Sequence, residues 1–233
     1  MRIEPEISEI AIVLRGHFNP SIFQPFWFAR HSLIKDDLAE RAKINLIHPE
    51  ATEFAIDNEF TINVDLTTFS ITRREAPLVV VADLASRIFL DLLPHTPIGQ
   101  MGINRIVHFN AGTMKERTRI GRLLAPLNPW GSWGAEMVGT ENSETQSGLR
   151  VLTMIEYGRK DRKFGHVQAT VEPSQIINQG RTGIFMLVND HYQVERPDQA
   201  TDAREIIMTL SERFDESVRN SERIIDQVMA LKQ

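Results

Sequence analysis

The feature that most constrains this chain is a long amphipathic segment at residues 198–231. Its apolar stripe recurs every three or four positions, as in a heptad pattern, with two serines at its middle; the stripe consists of Ile207, Leu210, Phe214, Ser217, Ser221, Ile224, Val228 and Leu231. This spacing predicts one helix of about 34 residues, which would extend about 50 Å at roughly 1.5 Å per residue. We expect one sheet to be shorter than this helix, so either a second copy of the helix buries the end of the stripe, or the helix breaks near Asn220 and folds back on its own subunit.

Alternation of apolar and polar residues predicts strands along most of the remaining chain. The predicted strands span 7–16, 44–56, 60–72, 98–109, 135–139, 150–157, 164–171 and 182–188. Helices are predicted at 77–93 and 113–124, and Pro25 favours the start of a short aromatic helix. Between Leu66 and Phe69 the alternation changes phase, which we interpret as a β-bulge. The elements predict an α+β protein of curved antiparallel sheets packed on long helices.

A short repeat indicates an internal duplication. His17-Phe18-Asn19 and His108-Phe109-Asn110 each end a predicted strand that leads into a helix. The pattern predicts two TBP-like or helix-grip repeats, at 1–97 and 98–233, or one continuous domain. A fold of this kind carries no function by itself.

Composition excludes several classes of protein. The 233 residues include no cysteine, which excludes disulfides, zinc–thiolate sites and cysteine nucleophiles. The apolar runs are too short to cross a bilayer, and the first residues show no signal-peptide pattern, so we expect a soluble, cytoplasmic protein. A net charge of −5 argues against a general nucleic-acid binder.

The middle of the chain is nevertheless basic, with ten Lys and Arg against six Asp and Glu in residues 105–163. The candidate contacts for an anion or a partner in this region are Arg105, His108, Arg117, Arg119, Arg122, Trp130 and Trp133. Structural roles are favoured for several of them. Arg105 is expected to pair with Glu212 or Asp215 of the last helix, and the tryptophans to plug one end of a sheet. The basic residues 159–163 are expected to form a solvated hairpin tip.

No catalytic motif is present. The histidines lack metal-binding spacing, Trp130-Gly131-Ser132-Trp133-Gly134 is not a nucleophile elbow, and no phosphate-binding or dinucleotide-binding glycine pattern occurs. His17 and His108 remain a candidate pair if the repeats bring the two strand ends together, and solvent-facing histidines are the favoured alternative. We therefore expect no cofactor and no metal, and the sequence argues against an enzyme.

The strand that begins near Gly99 resembles a known pattern. Gly99 and Ile103-Asn104-Arg105-Ile106 match a Gly-Leu-Arg-Tyr-Ile-Asn-Arg-Ile strand, with Gln100-Met101-Gly102 in place of Leu-Arg-Tyr. This strand is typical of an uncharacterised, sporadically distributed family of bacterial and archaeal proteins. The resemblance implies a fold and a prokaryotic setting, and it implies no reaction.

Together these features predict a non-catalytic binding or accessory protein that holds a partner with its sheet and long helix. The partner is expected to be another protein or a second copy, with Ile224, Val228 and Leu231 as candidate dimer contacts. The alternative is a helix-grip protein that binds a small ligand, or acts as an enzyme, in a pocket between the sheet and the last helix.

Overall fold

A computed structural model describes residues 3–57, 59–138 and 147–232 of the chain. The described residues form nine strands: β1 Ile7–Gly16, β2 Lys43–His48, β3 Ala51–Ile56, β4 Phe60–Asp65, β5 Thr68–Arg73, β6 Ile98–Asn110, β7 Leu152–Glu156, β8 Gly165–Pro173 and β9 Gly183–Gln193. The α-helices are α1 Pro25–Arg30, α2 Asp36–Glu40, α3 Val80–Ser86, α4 Met114–Leu124, α5 Gly131–Val138 and α6 Arg204–Met229. A π-helical turn, Arg87–Leu92, continues α3. The prediction of an α+β protein is confirmed.

All nine strands belong to one open antiparallel sheet with the order β2-β3-β4-β5-β1-β6-β9-β8-β7. β1 and β6 pair at its centre, where Ile12 lies opposite Ile103. Strands β2–β5, which follow β1 in sequence, lie on one side of this pair, and β7–β9, which follow β6, lie on the other. The strands before and after residue 97, the boundary between the two predicted repeats, therefore belong to one continuous sheet.

One face of the sheet carries the whole hydrophobic core of the described residues, because the paired strands share the same alternation. A first cluster joins β1, β3, β4, β5 and β6 to α1, α3 and α6 through side chains such as Phe28, Phe69 and Phe89. A second cluster joins β6, β8 and β9 to α4 and α6. The buried side chains of these helices all pack on this face, which we call the covered face.

Helix α6 spans both clusters. Ile207, Leu210 and Phe214 belong to the first cluster, while Ile225 and Met229 belong to the second. The helix has 26 residues, or roughly 39 Å at 1.5 Å per residue, because it begins at Arg204 rather than near residue 198. The end of the predicted stripe is partly buried against the second cluster; this end consists of Ile224, Val228 and Leu231. The assumption that one sheet would not reach the end of the helix was wrong, because the chain buries that end itself.

Two predicted strands are hairpins. Residues 44–56 form β2 and β3, and residues 60–72 lie in β4 and β5. The change of phase after Leu66 is a chain reversal rather than the predicted bulge. The Asp65 side chain accepts hydrogen bonds from the backbone N–H groups of Thr67 and Thr68, at 2.7 and 2.8 Å, and so stabilises the turn.

The prediction of a strand at 135–139 was also wrong. Residues 135–138 belong to α5, which begins at Gly131, and Gly139 lies outside the described residues. A Cβ on residue 134 would lie only 2.2 Å from the carbonyl oxygen of Leu127. The helix can therefore approach this loop only because residue 134 is a glycine.

Candidate binding face

The second face of the sheet carries the alternate residue of each strand. We call it the open face, because neither core cluster contains a strand side chain from it. Its central side chains are Glu9, Ala11, Val13, Gln100, Asn104, Ile106, His108, His166, Gln168, Thr170, Phe185, Leu187, Asn189, His191 and Gln193. The set is rich in amide and imidazole groups, which both donate and accept hydrogen bonds.

Two asparagines form the centre of the open face. The Nδ2 of Asn189 donates to Oδ1 of Asn104 at 2.7 Å, across the β6–β9 pair. The Oδ1 of Asn189 is buried and has no hydrogen-bond partner in the described structure. Gly102 makes room for the amides, since a Cβ there would lie 3.0 Å from Nδ2 of Asn189. The centre therefore contains one buried acceptor whose hydrogen-bonding capacity is not used within the described structure.

A row of rings lies on the β8–β9 side of this centre. His166 and His191 stack with their ring centroids 4.8 Å apart, and the exposed Tyr157 lies 5.4 Å from His166. Burial lowers the pKa of His191 below its ordinary value, and the neighbouring His166 and Arg162 act in the same direction. The lowered pKa favours the neutral form of His191, and its Nε2 lies 3.3 Å from Oε1 of Gln193.

His108 lies on the open face at the end where β6 meets the loop after β8. Its Nδ1 is 2.8 Å from Oγ of Ser174, and its ring packs on Phe185. Burial lowers the pKa of His108 as well. The proposed partner His17 follows Gly16, at the opposite end of β1, because Ile7 pairs with His108 and Gly16 with Ile98. The two histidines do not meet, since antiparallel pairing separates the two strand ends.

Charges on the open face are mixed. Among the described residues it carries the acids Glu9, Glu53, Asp65 and Glu172 and the basic residues Arg15, Lys43 and Arg74. Arg74 is bonded to Glu9 at 2.7 Å, so one of these positive charges is already neutralised. The face lacks the positive field that binding to a phosphate backbone requires.

Arg105 is a structural residue on the covered face. Its guanidinium donates to Oε1 of Glu222 at 2.6 Å and to the backbone oxygen of Glu9 at 2.8 Å. The predicted ion pair with the last helix is therefore present, but Glu222 replaces the predicted Glu212 and Asp215. Its position inside the core and its bonds to this chain leave Arg105 no role in binding an external anion.

The arginines of α4 also bind their own chain. Arg117 donates to the carbonyl of Gly180 at 2.7 Å, and Arg122 donates to that of Met137 at 3.1 Å. Arg119 bonds Glu116 and the carbonyl of Leu231. These contacts fix α4 against the loop after β8, the end of α6 and α5. The structure therefore does not bring the predicted arginines together into one contact surface.

Trp130 and Trp133 are exposed at the start of α5, with their rings in an edge-to-face pair 5.5 Å apart. The prediction that they plug one end of the sheet is wrong, because neither ring belongs to a core cluster.

The basic tip at 159–163 is not simply solvated. Arg162 is buried, donates to the carboxylates of Asp161 and Asp190, and lies 3.9 Å from the ring centre of Tyr192. Sequence reasoning missed Asp190, although it continues the covered-face alternation of β9 as a charged residue. A charge at a core position needs a partner, and this was the available signal.

Metal and membrane features are absent from the part of the chain that the structure describes. No three His, Asp or Glu side chains there form a group that can hold a metal ion. None of the described helices combines the length and apolar character needed to cross a bilayer.

Comparisons with known proteins assign no family. No protein-family model matches the sequence, and no curated protein gives a significant match. The resemblance at Gly99 and 103–106 stays a prediction, and the geometry of the open face carries the functional proposal.

Proposed function

We propose that this chain is a non-catalytic binding protein that holds a protein partner on the open face of its sheet. The observation that carries the proposal is a broad sheet surface that the core helices leave uncovered, on whose central strands apolar side chains lie among hydrogen-bonding ones. Protein interfaces likewise combine apolar contacts with direct hydrogen bonds.

The central strands of the open face carry several apolar side chains, although the face is not covered by the helices. Ile106 of β6 lies opposite Leu187 of β9, and Ala11 and Val13 follow each other on the same face of β1, with Ala11 opposite Asn104. An antiparallel sheet with one wet face ordinarily alternates apolar and polar residues. These four residues break that rule at the centre of the sheet, where a partner would be held.

The strand order supports the proposed duplication. β1 leads through two short helices to β2–β5 and α3, and β6 leads through two helices to β7–β9 and α6. The two series lie on opposite sides of the β1–β6 pair. We infer two TBP-like or helix-grip repeats at 1–97 and 98–233 that share one sheet, with their strand-end helices covering the same side.

The alternative, a small-ligand pocket between the sheet and α6, has less support. Ile12 and Ile103 of the sheet and Leu210 and Phe214 of α6 belong to one buried cluster, so side chains fill that space. A partly open cavity of about 30 Å³ lies instead beside α4, between Ile120 and Val171. That volume holds a water molecule or two, and no metabolite fits it.

The test uses photo-crosslinking in cells that express the chain naturally. A photoreactive amino acid is placed at Gln168 or Gln100 on the open face, and at Met208, which is exposed on α6, as a matched control. We expect the two open-face positions to give a covalent adduct with the same protein and Met208 to give none. The partner is then purified, and Leu187→Glu should weaken its binding at least about tenfold, because the interface would bury a charge in place of an apolar side chain.

Other outcomes would reject the proposal. Adducts that form equally from Met208, or a small molecule retained in native mass spectrometry and lost on mutating α6, would favour the pocket instead. Submicromolar binding of a short DNA or RNA duplex at physiological salt would point to nucleic acid, against the charge of the open face.

A further inference from the structure

The sheet has two edge strands with different properties. β2 and β7 each pair with one neighbour in the described sheet, so each presents a row of backbone N–H and C=O groups on its other side. In β2 the register shifts between Ile44 and Leu46, and the strand begins with Lys43. A bulge and a lysine both discourage pairing at an edge.

β7 lacks these protections. Its pairing with β8 runs without a shift from Leu152 to Glu156, and residues 151–155 carry no charge. Several of its large side chains are exposed: Val151 by 59%, Met154 by 65%, Ile155 by 42% and Tyr157, just after the strand, by 69%. A regular, apolar, uncharged edge is the kind of strand that pairs with another strand.

The sequence of β7 is complementary to itself. When two copies run antiparallel about a twofold axis through Thr153, Val151 lies opposite Ile155, and Leu152 lies opposite Met154. The same register places Arg150 opposite Glu156, once on each side of the axis. Opposite charges and apolar side chains on facing positions both stabilise antiparallel pairs. A twofold axis through Met154 would instead place Leu152 opposite Glu156, which is a worse match.

We propose that β7 pairs with β7 of a second copy about a twofold axis at Thr153. The two nine-stranded sheets then form one continuous sheet across the dimer. This closes the exposed edge, and closed twofold dimers are the commonest assemblies of soluble proteins. The end of α6 is a weaker candidate for the dimer interface than β7, because Ile224, Val228 and Leu231 already pack against their own chain.

The pairing also affects the open face. Thr153 and Ile155 project on that side, next to Thr170 and Gln168 of β8. In the dimer the open faces of the two copies continue into each other. The proposed pairing can be tested separately from the proposed function, because the mass of the purified chain is measured without a partner.

The experiment measures mass by light scattering and sedimentation at tens of micromolar. We expect about 53 kDa for the wild type, twice the 26.6 kDa of the chain. V151K/I155K places lysine opposite lysine and should raise the dimer dissociation constant at least about tenfold. V151E/I155K places glutamate opposite lysine in the proposed register and should restore the dimer. I44K/I47K on the β2 edge is the matched control and should not change the mass.

Three results would overturn the proposal. They are a monomeric wild type over this concentration range, a dimer that V151K/I155K leaves intact, and a V151E/I155K variant no more dimeric than V151K/I155K. Circular dichroism and thermal melting show that each variant is folded. A folded V151K/I155K monomer together with a V151E/I155K dimer supports the register directly.

Discussion

Arg105 and Glu222 join the central strand β6 to helix α6 through an ion pair with 2.6 Å between Nε and Oε1. The guanidinium of Arg105 also donates to Ser8 and to the backbone oxygen of Glu9, so β1 takes part as well. The pair lies on the covered face, near the point where α6 passes from the first core cluster to the second. It therefore ties together three elements that are far apart in sequence.

Removing the carboxylate of this pair should destabilise the fold. Glu222→Ala leaves the buried guanidinium of Arg105 without its counter-ion, and we expect a loss of about 2 to 4 kcal/mol in the free energy of unfolding. The control is Glu216→Ala on the same helix, whose pair with Arg213 is half-exposed and should contribute less than about 1 kcal/mol. Urea denaturation of both variants measures the difference, and equal losses would contradict the structural role of Arg105.

The Arg162–Asp190 pair should behave in the same way at the far side of the sheet. Both side chains are buried, and Asp190→Asn removes one of the two carboxylate charges that balance Arg162, leaving only that of Asp161. We expect a loss of about 3 kcal/mol, since a buried charge is left with weaker compensation. Glu195→Gln is the control, because its 3.7 Å pair with Lys163 is exposed. A Glu195→Gln loss as large as that of Asp190→Asn would show that the buried network is not stabilising.

Protonation of the open-face histidines should lower stability in mildly acidic solution. Burial lowers the pKa values of His108 and His191 in the folded state, so the unfolded chain binds more protons below its ordinary histidine pKa of about 6.5. The stabilisation is present above the unfolded-state pKa of about 6.5 and is lost as the pH falls from there towards the lowered folded-state pKa values. His191→Gln should flatten this dependence between about pH 7 and 5, and His108→Gln/His191→Gln should flatten it further.

A second loss of folding stability should occur at lower pH. Hydrogen bonds from Arg162 and Arg159 hold the pKa of Asp161 well below its usual range. The unfolded-state pKa of an aspartate is about 3.9, so this contribution is present above that value and is lost only as the pH falls below it. Unfolding free energies measured across both ranges separate the two effects, and a wild type with constant stability from about pH 7 to 5 would contradict the histidine prediction.

Two glycines lie at the two ends of the loop that joins β7 to β8, and they should respond differently to substitution. Gly165 has φ +111°, and a Cβ there would lie 2.1 Å from the carbonyl oxygen of His191. Gly158 has φ +67° and open space around it. Gly158→Ala should cost roughly 1 kcal/mol, from left-handed backbone strain alone. Gly165→Ala should cost several times more, as thermal melting can show, and equal costs would mean that β8 shifts away freely.

The sequence predicts the regular strands well and the turns poorly. β1 was predicted at its observed bounds, because its apolar run is long and ends at Gly16. The hairpin between β2 and β3 was missed although Pro49 lies at its turn, where a proline cannot continue a ladder. Asp65 was likewise available as a turn signal, but its acceptor role becomes visible only with the backbone of Thr67 in place.

Side-chain contacts between residues that are far apart in sequence are less predictable. The choice of Glu222 over Glu212 for Arg105 depends on where α6 crosses β6, which no alternation in one dimension specifies. The open face also could not be predicted, since it depends on which side the helices pack. Asn104 and Asn189 lie 85 residues apart in sequence, and only the β6–β9 register brings their amides into contact.

The strand order has a consequence for how the chain reaches its fold. The central pairing of Ile12 with Ile103 joins residues about ninety positions apart, so it cannot begin until β6 has been synthesised. Helix α6 follows all nine strands, and it contributes to both core clusters. Non-local pairing of this kind slows folding. During synthesis, the apolar side of the growing sheet stays uncovered by α6 until the last strand has left the ribosome. This chain should therefore depend on chaperones while it is made, and misfold most readily when translation stops before residue 204.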